Sequence, residues 1–140
     1  MFLFDTDHLS LLQKPHGRES EALLTSIERY SETDFFACIV SFHEQVMGWN
    51  ARIQKASTHD GLCRGYLKLR ETIRQYSEMQ VLDFDLSAAA RFTELRSQKV
   101  RIGTMDLRIA SIALTHGFIV LTRNLVDFQQ VPSLIAEDWT

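Results

Sequence analysis

The sequence predicts an α/β fold, in which a parallel sheet of four to five strands lies between two layers of helices. Short apolar segments alternate along the chain with longer segments in which apolar residues recur at helical spacing. Strands that alternate with helices favour parallel pairing, because each helix returns the chain to the edge where the next strand begins. A sheet covered on both faces also accounts for strands that are apolar at nearly every position. The predicted architecture is a three-layer α/β/α arrangement.

Five apolar segments are the candidate strands. Phe2–Phe4 is the first and is followed directly by an aspartate, and Phe118–Thr122 is the clearest. Phe35–Val40 and the weaker Met79–Phe84 lie between them. Leu134–Ala136 is expected to add an edge strand.

Amphipathic segments separate the strands and are predicted to be helices. They are Glu19–Tyr30, Phe42–Lys55, Leu62–Tyr76, Leu86–Gln98 and Thr104–Thr115. Two of their ends carry clear signals, because Asp85 is a suitable N-cap and Gly117 a suitable C-cap. In the third helix, helical spacing places Tyr66, Leu69 and Ile73 on one apolar face.

The chain of 140 residues has the usual length of one domain and contains only two prolines, with no Pro/Gly/Ser-rich linker. We therefore expect a single domain over residues 1–140. No apolar run approaches the roughly 20 residues of a membrane span, and the N-terminal segment lacks the basic region of a secretory signal. The two cysteines, Cys38 and Cys63, are far apart and show no zinc-ligand spacing. These features predict a cytoplasmic protein without a disulfide framework.

The net charge of −3 does not by itself favour binding to nucleic acid. The basic residues are nevertheless concentrated in two stretches. The first contains Arg52, Lys55, Arg64, Lys68, Arg70 and Arg74, and the second contains Arg91, Arg96, Lys99, Arg101 and Arg108. By charge alone, both stretches are interpreted as solvated helix faces.

Acidic and amide side chains follow the predicted strands or begin the helices after them. These residues are Asp5, Asp7, Glu44, Asp106, Asn124 and Asp127. Ligands of parallel sheets bind beyond the carboxyl ends of the strands, so these side chains are expected at the functional edge. Mg²⁺ prefers carboxylate oxygens, and a bound divalent ion activates water and neutralises charge as a phosphodiester breaks. The converging carboxylates therefore predict a site for Mg²⁺ or Mn²⁺.

Each acid also has a purely structural interpretation as part of a helix cap. Asp5 would precede a helical turn over His8–Gln13, and Glu44 would complete a capping box with the serine three residues before it. Asp106 would lie in a first helical turn, where negative charge suits the helix dipole. Asn124–Asp127 resembles a capped turn. Capping explains the acids singly, except that an acid ending an apolar strand, as Asp5 does, has less local need of this role. Capping does not explain why several of them fall at one edge of the sheet.

Four motifs resemble those of PIN-domain nucleases, and they occur in the same order along the chain. Phe2–Ser10, in which a strand ends in Asp-Thr-Asp, is similar to the opening motif. Val40–Glu44 is similar to the second motif, a serine followed three residues later by glutamate, and Ile102–Ala110 closely resembles the third. Leu121–Phe128, continued to Trp139, resembles the C-terminal block of VapC-type toxins. The resemblance covers nearly the whole chain.

The resemblance implies a PIN-like fold and an Mg²⁺- or Mn²⁺-dependent endoribonuclease that is the toxin of a type II toxin–antitoxin system. It further implies a structured RNA substrate such as tRNA or rRNA, a homodimer, and a small VapB-like antitoxin as partner. Asp5, Glu44 and Asp106 match the family's metal-binding acids. The fourth position stays open, because Asn124 stands where many PIN domains have aspartate and Asp127 is a second source of charge.

Several further residues near these motifs are candidates for supporting roles. Asp7 stands where asparagine is common in the family, and its role is open. Thr104 and Thr122 are candidates to position a carboxylate or a water. Arg108 and Arg123 are candidate contacts for RNA phosphate.

Two alternatives to the nuclease are kept. Phe4–Asp7 also resembles the nucleophile motif of haloacid-dehalogenase-type phosphatases, in which the first aspartate, here Asp5, is phosphorylated. That family needs a later lysine, and no lysine follows Lys99. The other alternative is a degenerate PIN domain that binds RNA or a protein without catalysis, which the substitution at Asn124 leaves open.

The two tryptophans, Trp49 and Trp139, are interpreted as packing or interface residues.

Overall fold

The computed structural model describes residues 1–140 and contains one sheet of five strands. The strands are β1 (Phe2–Phe4), β2 (Phe35–Cys38), β3 (Gln80–Leu82), β4 (Ile119–Leu121) and β5 (Ala136–Glu137). Their order across the sheet is β3-β2-β1-β4-β5, and every neighbouring pair is parallel. The predicted parallel sheet is confirmed, with five strands.

Seven helices connect or follow the strands. They are α1 (Thr6–Gln13), α2 (Arg18–Ile27), α3 (Ile39–Lys55), α4 (His59–Ser77), α5 (Leu86–Ser97), α6 (Thr104–His116) and α7 (Leu125–Phe128). Asp85 caps α5 by accepting a hydrogen bond from the Ala88 N–H at 2.9 Å. Gly117 ends α6 with a φ of 68°, a left-handed conformation that favours glycine. Both predicted caps are therefore confirmed. None of the helices combines the length and the apolar character needed to cross a membrane.

The sheet separates two apolar cores, as the three-layer prediction requires. Side chains alternate along β1, so that Leu3 contributes to one core and Phe2 and Phe4 to the other. The core that contains Leu3 includes buried residues of α5 and α6, whereas the opposite core includes buried residues of α1, α2 and α4. Helices cover both faces, which explains why the strands are apolar throughout.

The boundary between the second strand and its helix differs from the prediction. β2 ends at Cys38, and α3 begins at Ile39 instead of Phe42. A continuous apolar run does not reveal by its periodicity where a strand stops and a buried helix starts. Because the helix begins earlier, Glu44 lies in the second turn of α3, and the predicted capping box with Ser41 is wrong. The side chain of Glu44 therefore has no capping role.

The helical spacing of Tyr66, Leu69 and Ile73 does not mark the buried face of α4. Tyr66 is 59% exposed and Ile73 is 61% exposed. The buried residues of α4 are instead Gly65, Thr72 and Tyr76. A β-carbon on Gly65 would lie only 2.5 Å from the side chain of Ile53, so the glycine lets α3 and α4 approach closely. Close packing of these two helices, and not the apolar periodicity, selects the buried face.

The strand order reverses between β1 and β4, which places the functional edge. From β1 the chain adds β2 and β3 on one side and then returns to add β4 and β5 on the other. Such a reversal opens a crevice at the carboxyl ends of the two strands. The Asp5 N–H donates to the Leu121 carbonyl at 2.9 Å, so β1 and β4 end side by side.

Candidate metal centre

Three acids from distant parts of the chain meet beside the crevice. Asp5 follows β1, Glu44 lies in α3 and Asp106 lies in the first turn of α6. One carboxylate oxygen of each lies within 4.8 Å of those of the other two. Asp5 is buried, and Glu44 and Asp106 are half-buried. We call these three residues the acid cluster.

Asp5 is the most deeply placed member of the acid cluster. Its Oδ2 accepts a hydrogen bond from the Thr122 hydroxyl at 2.8 Å, and its Oδ1 accepts one from the Thr6 N–H at 2.6 Å. Burial raises the pKa of Asp5 to about 7, and the charge of Asp7 adds to that increase, whereas the Thr122 hydrogen bond opposes it. Asp5 thus precedes α1, as the capping interpretation holds, and also belongs to the cluster.

Glu44 is oriented by a residue that the sequence reasoning missed. The Thr6 hydroxyl donates to Glu44 Oε1 at 2.8 Å, which ties α1 to α3 across the crevice. The signal available in the sequence was the threonine directly after Asp5. Thr104, by contrast, is exposed and has no side-chain hydrogen bond, so only Thr122 of the two predicted threonines contacts an acid.

Asn124 connects Asp106 to the remaining acid. Its amide Nδ2 donates to Asp106 Oδ2 at 3.2 Å and to Asp127 Oδ2 at 2.9 Å. It makes no capping hydrogen bond to α7, so the capped-turn interpretation is wrong for its side chain. Burial raises the pKa of Asp106, and the charges of Glu44 and Asp127 raise it further. Asn124 thus bridges Asp106 and Asp127, and Asp127 is not among the three converging acids. Which of the two fills the fourth position stays a prediction.

The acid cluster fits a divalent cation by its charge and by its ligand chemistry. None of its three carboxylates forms an ion pair with a lysine or arginine. Two of them have a raised pKa, mainly because burial disfavours the charged carboxylate and further because neighbouring acids repel it. Mg²⁺ binds through a few carboxylate oxygens while keeping several waters, and this set offers three such oxygens.

A second acid network lies next to the cluster and has the opposite character. Asp7 Oδ1 is 2.9 Å from Nδ1 of the fully buried His8, and Asp7 Oδ2 accepts a hydrogen bond from the Arg123 N–H at 2.9 Å. The Arg123 guanidinium also donates to Glu19 at 2.9 Å. Burial acts to raise the pKa of Asp7, but the hydrogen bonds from His8 and Arg123 outweigh it and hold that pKa below its ordinary value. We call these four residues the Asp7 network.

The two arginines predicted to contact RNA both have partners within the protein. Arg123 belongs to the Asp7 network. Arg108 is half-buried, with a guanidinium nitrogen 3.4 Å from the Met105 sulfur and its central carbon 5.9 Å from the centre of the Phe92 ring. Contact of either arginine with RNA stays a prediction.

Comparison with known proteins assigns the chain to a family. The family model for the PIN domain matches residues 3–134, so the chain belongs to the PIN domain family. It is 37% identical over 67 residues to the tRNA(fMet)-specific endonuclease VapC of Salmonella typhimurium. That match covers 45% of this chain and 51% of the relative, so the chain spans about half the length of that curated relative.

Two solved structures share the fold over nearly the whole chain. One is DNA-bound VapBC from Salmonella typhimurium, with a TM-score of 0.77 and 22% identity over 99% of this chain and 98% of that one. The other is VapBC2 from Rickettsia felis bound to a DNA fragment of its promoter, with a TM-score of 0.74 and 22% identity over the same shares of the two chains. At this level of identity the comparison confirms the predicted PIN-like three-layer fold.

Proposed function

We propose that this PIN domain protein, as a single domain over residues 1–140, is a divalent-metal-dependent endoribonuclease and the toxin of a type II toxin–antitoxin system. The observation that carries the proposal is the convergence of Asp5, Glu44 and Asp106, without a balancing cation, beside the crevice between β1 and β4. The Salmonella typhimurium relative is named a tRNA(fMet)-specific endonuclease, which supports RNA as the substrate.

In the proposed mechanism, the residues of the site divide into those that hold the ion and those that orient the holders. Asp5 and Asp106 would hold Mg²⁺ or Mn²⁺, and Glu44 would complete the ligand set. When bound, the ion would supply an activated water and neutralise charge on the phosphate. Thr122 orients Asp5, Thr6 orients Glu44 and Asn124 orients Asp106, so a hydrogen bond within the protein positions each of these carboxylates. Asp127 is joined to the site through Asn124 and would act through water.

The test is RNA cleavage by the purified protein, free of antitoxin, with tRNA as the substrate. We expect cleavage with Mg²⁺ or Mn²⁺, none with EDTA, and none by Asp5→Asn at unchanged circular dichroism. Asp83→Asn is the matched control, because Asp83 also directly follows a strand but is exposed and has no side-chain hydrogen bond. A protein that cuts no RNA and binds no divalent metal contradicts the proposal.

The phosphatase alternative is disfavoured by the state of Asp7. In that mechanism the aspartate two residues after the nucleophile acts as a general acid, which requires a proton to give. Asp7 is instead held ionised by His8 and Arg123. A phosphoryl group trapped on Asp5 would restore this alternative. The degenerate, non-catalytic alternative predicts that Asp5→Ala is as toxic as the natural protein when expressed in cells.

A VapB-like antitoxin is the proposed partner, since both solved structures that share the fold are VapBC assemblies. Co-expression with the product of a short neighbouring gene, followed by co-purification and loss of RNA cleavage, tests this partner. The homodimer, the choice of tRNA or rRNA and the cytoplasmic location stay predictions.

A further inference from the structure

A groove with a basic lining runs from the acid cluster along α3 to α4. Its near part is a cavity of about 230 Å³ lined by residues of α1 and α3, including Thr6, whose hydroxyl donates to Glu44. Its far part is a cavity of about 260 Å³ between α3 and α4. Trp49 and Arg52 line both cavities and so join them. We call this surface the α3–α4 groove, and its cationic residues are Arg52, Arg64 and Lys68.

Two of the three cations in this groove are not matched by neighbouring acids. Between Val46 and Tyr76 the chain has six lysines and arginines but only two acids, in a protein whose net charge is −3. Lys68 pairs with Glu71 at 2.7 Å, whereas Arg52 and Arg64 form no ion pair. Charge pattern alone indicates a solvated helix face, whereas in the structure three of these cations line one concave surface. A cleft lined with one sign of charge attracts a ligand of the opposite sign.

Trp49 gives the middle of the groove a fixed aromatic element. Its indole N–H donates to the hydroxyl of the buried Thr72 at 3.1 Å, which anchors the ring to α4. The Arg52 guanidinium lies 5.0 Å from the ring centroid and is held there by a cation–π contact. Proteins that bind single-stranded nucleic acid combine cations along the backbone path with aromatic rings in the same groove.

We propose that the α3–α4 groove binds the phosphate–ribose backbone of the RNA segment next to the bond that is cut, an inference that rests on the proposed ribonuclease function. Arg52, Arg64 and Lys68 contact phosphates, and Trp49 supports a base or a ribose. Arg52 is eight positions after Glu44 in α3, which is about 12 Å along a helix. At about 3.4 Å per stacked nucleotide, Arg52 lies about three to four nucleotides from the cleaved bond.

The first test measures RNA binding without cleavage. A labelled single-stranded RNA of about 20 nucleotides, longer than the footprint of typical single-strand binders, is titrated by fluorescence anisotropy in EDTA over a range of salt concentrations. Arg52→Gln/Arg64→Gln is expected to weaken binding and to flatten the slope of log K against log salt by about 1.4, at about 0.7 for each lost phosphate contact. The control Arg18→Gln/Arg29→Gln removes the same charge near the two ends of α2 and is expected to keep nearly the full slope. If the first double variant does not fold, Lys68→Gln is used, with an expected change of about 0.7.

The second test measures cleavage kinetics with Mg²⁺. The groove variant is expected to raise KM while leaving kcat at saturating RNA unchanged, because its residues do not touch the acid cluster. RNA substrates shortened to fewer than three nucleotides on either side of the cleaved bond are expected to abolish the difference between the variant and the natural protein.

The outcomes separate this inference from the proposed function. If the groove variant has the same RNA affinity as the control variant, the inference is overturned, whether or not the natural protein cuts RNA. If that unchanged RNA affinity is accompanied by lost binding of the antitoxin, the groove is a protein interface and the inference is likewise overturned. If the natural protein cuts no RNA but its RNA affinity depends on Arg52 and Arg64, RNA binding by the groove is supported and the proposed ribonuclease function fails.

Discussion

Asp5 and Asp7 are two residues apart in the chain, yet they belong to regions with opposite electrostatics. Asp5 lies in the acid cluster with two other carboxylates, and burial raises its pKa to about 7. Asp7 lies in a network with His8 and Arg123, and its pKa is held below its ordinary value. Both side chains are removed from much of the solvent, so burial alone does not explain the difference. Asp5 is the more deeply buried of the two, and its burial and the neighbouring acids together outweigh its two hydrogen bonds, whereas at Asp7 the hydrogen bonds from His8 and Arg123 outweigh burial.

The contrast indicates which region is prepared to receive a ligand. The Asp7 network satisfies its own charges and joins the start of α1 to the segment after β4. The charges of the acid cluster are not satisfied in this way. The folded protein is therefore expected to lose stability as these acids ionise and to regain it when a cation binds. Four predictions test this contrast, starting with the largest expected effect.

The largest effect is expected on activity when a member of the acid cluster loses its charge. Asp106→Asn is expected to reduce cleavage by about 100- to 1000-fold, because a catalytic metal supplies several kcal/mol of charge stabilisation to the transition state. Single-turnover cleavage of tRNA with Mg²⁺ measures it, with Asp83→Asn as the control. Activity within tenfold of the natural protein would remove Asp106 from the site.

The second prediction concerns the pH dependence of stability without metal. The pKa of Asp5 is higher in the folded state, so Asp5 costs nothing below pH 4, and the folded protein loses stability as pH rises toward about 7. The total loss is on the order of 4 kcal/mol, at about 1.4 kcal/mol for each unit of pKa. Urea unfolding in EDTA at pH 4.5, 6 and 8 is expected to show Asp5→Asn gaining on the natural protein as pH rises. Parallel pH profiles for the two proteins would contradict the raised pKa.

Bound metal is expected to offset this loss of stability at high pH. Added Mg²⁺ or Mn²⁺ is expected to raise the melting temperature of the natural protein more at pH 8 than at pH 5, because the ion competes with protons for the carboxylates. Asp5→Asn is expected to show a much smaller rise at both values.

The third prediction concerns the removal of charge from the Asp7 network. Asp7→Asn removes a charged acceptor from His8 and Arg123 and is expected to cost about 1.5–3 kcal/mol of stability. Because the folded pKa of Asp7 is lowered, its contribution is present above about pH 4 and is lost only in stronger acid. The cost should therefore be present at both pH 5 and pH 8, and it should be smaller at pH 8, where the variant also relieves the repulsion between Asp7 and the ionised Asp5. Glu19→Gln, which removes the exposed partner of Arg123, is the control and is expected to cost less than about 1 kcal/mol.

Asp7→Asn also has an expected effect on the other region. The charge of Asp7 contributes to the raised pKa of Asp5, so its removal should shift the pH-dependent loss of stability to lower pH. An unchanged midpoint would show that the two regions are electrostatically independent.

The smallest effect is expected for the amide that supports the cluster. Asn124→Ala removes the hydrogen bonds to Asp106 and Asp127 and is expected to weaken Mn²⁺ binding by about 10- to 100-fold, the usual cost of losing a group that orients a ligand. Isothermal titration calorimetry measures it. Asn124→Asp, which supplies a fourth carboxylate, is expected to bind the ion at least as tightly as the natural protein. Equal affinity for the alanine variant would leave Asn124 without an orienting role.

Local sequence patterns are sufficient to predict the fold class, the approximate positions of the strands and the acids near the functional edge. Apolar runs that alternate with amphipathic segments define the layers, and Asp85 and Gly117 mark helix ends through local chemistry that needs no tertiary contact. Asp5 and Asp106 were identified because chain direction in a parallel sheet sends every strand end to the same edge. These features depend on the spacing of residues that are close together in the chain, so local pattern is enough to predict them.

Which acids meet, and which partners each one has, depends on contacts between distant segments of the chain. Thr6, Thr122 and Asn124 find their partners across separations of 18 to 117 residues, which local pattern does not encode. The same holds for the α3–α4 groove, where close packing at Gly65 brings cations from two helices to one surface. Asp5 and Asp7 differ for this reason too, because a pKa depends on burial and on partners, and both are set by distant segments of the chain.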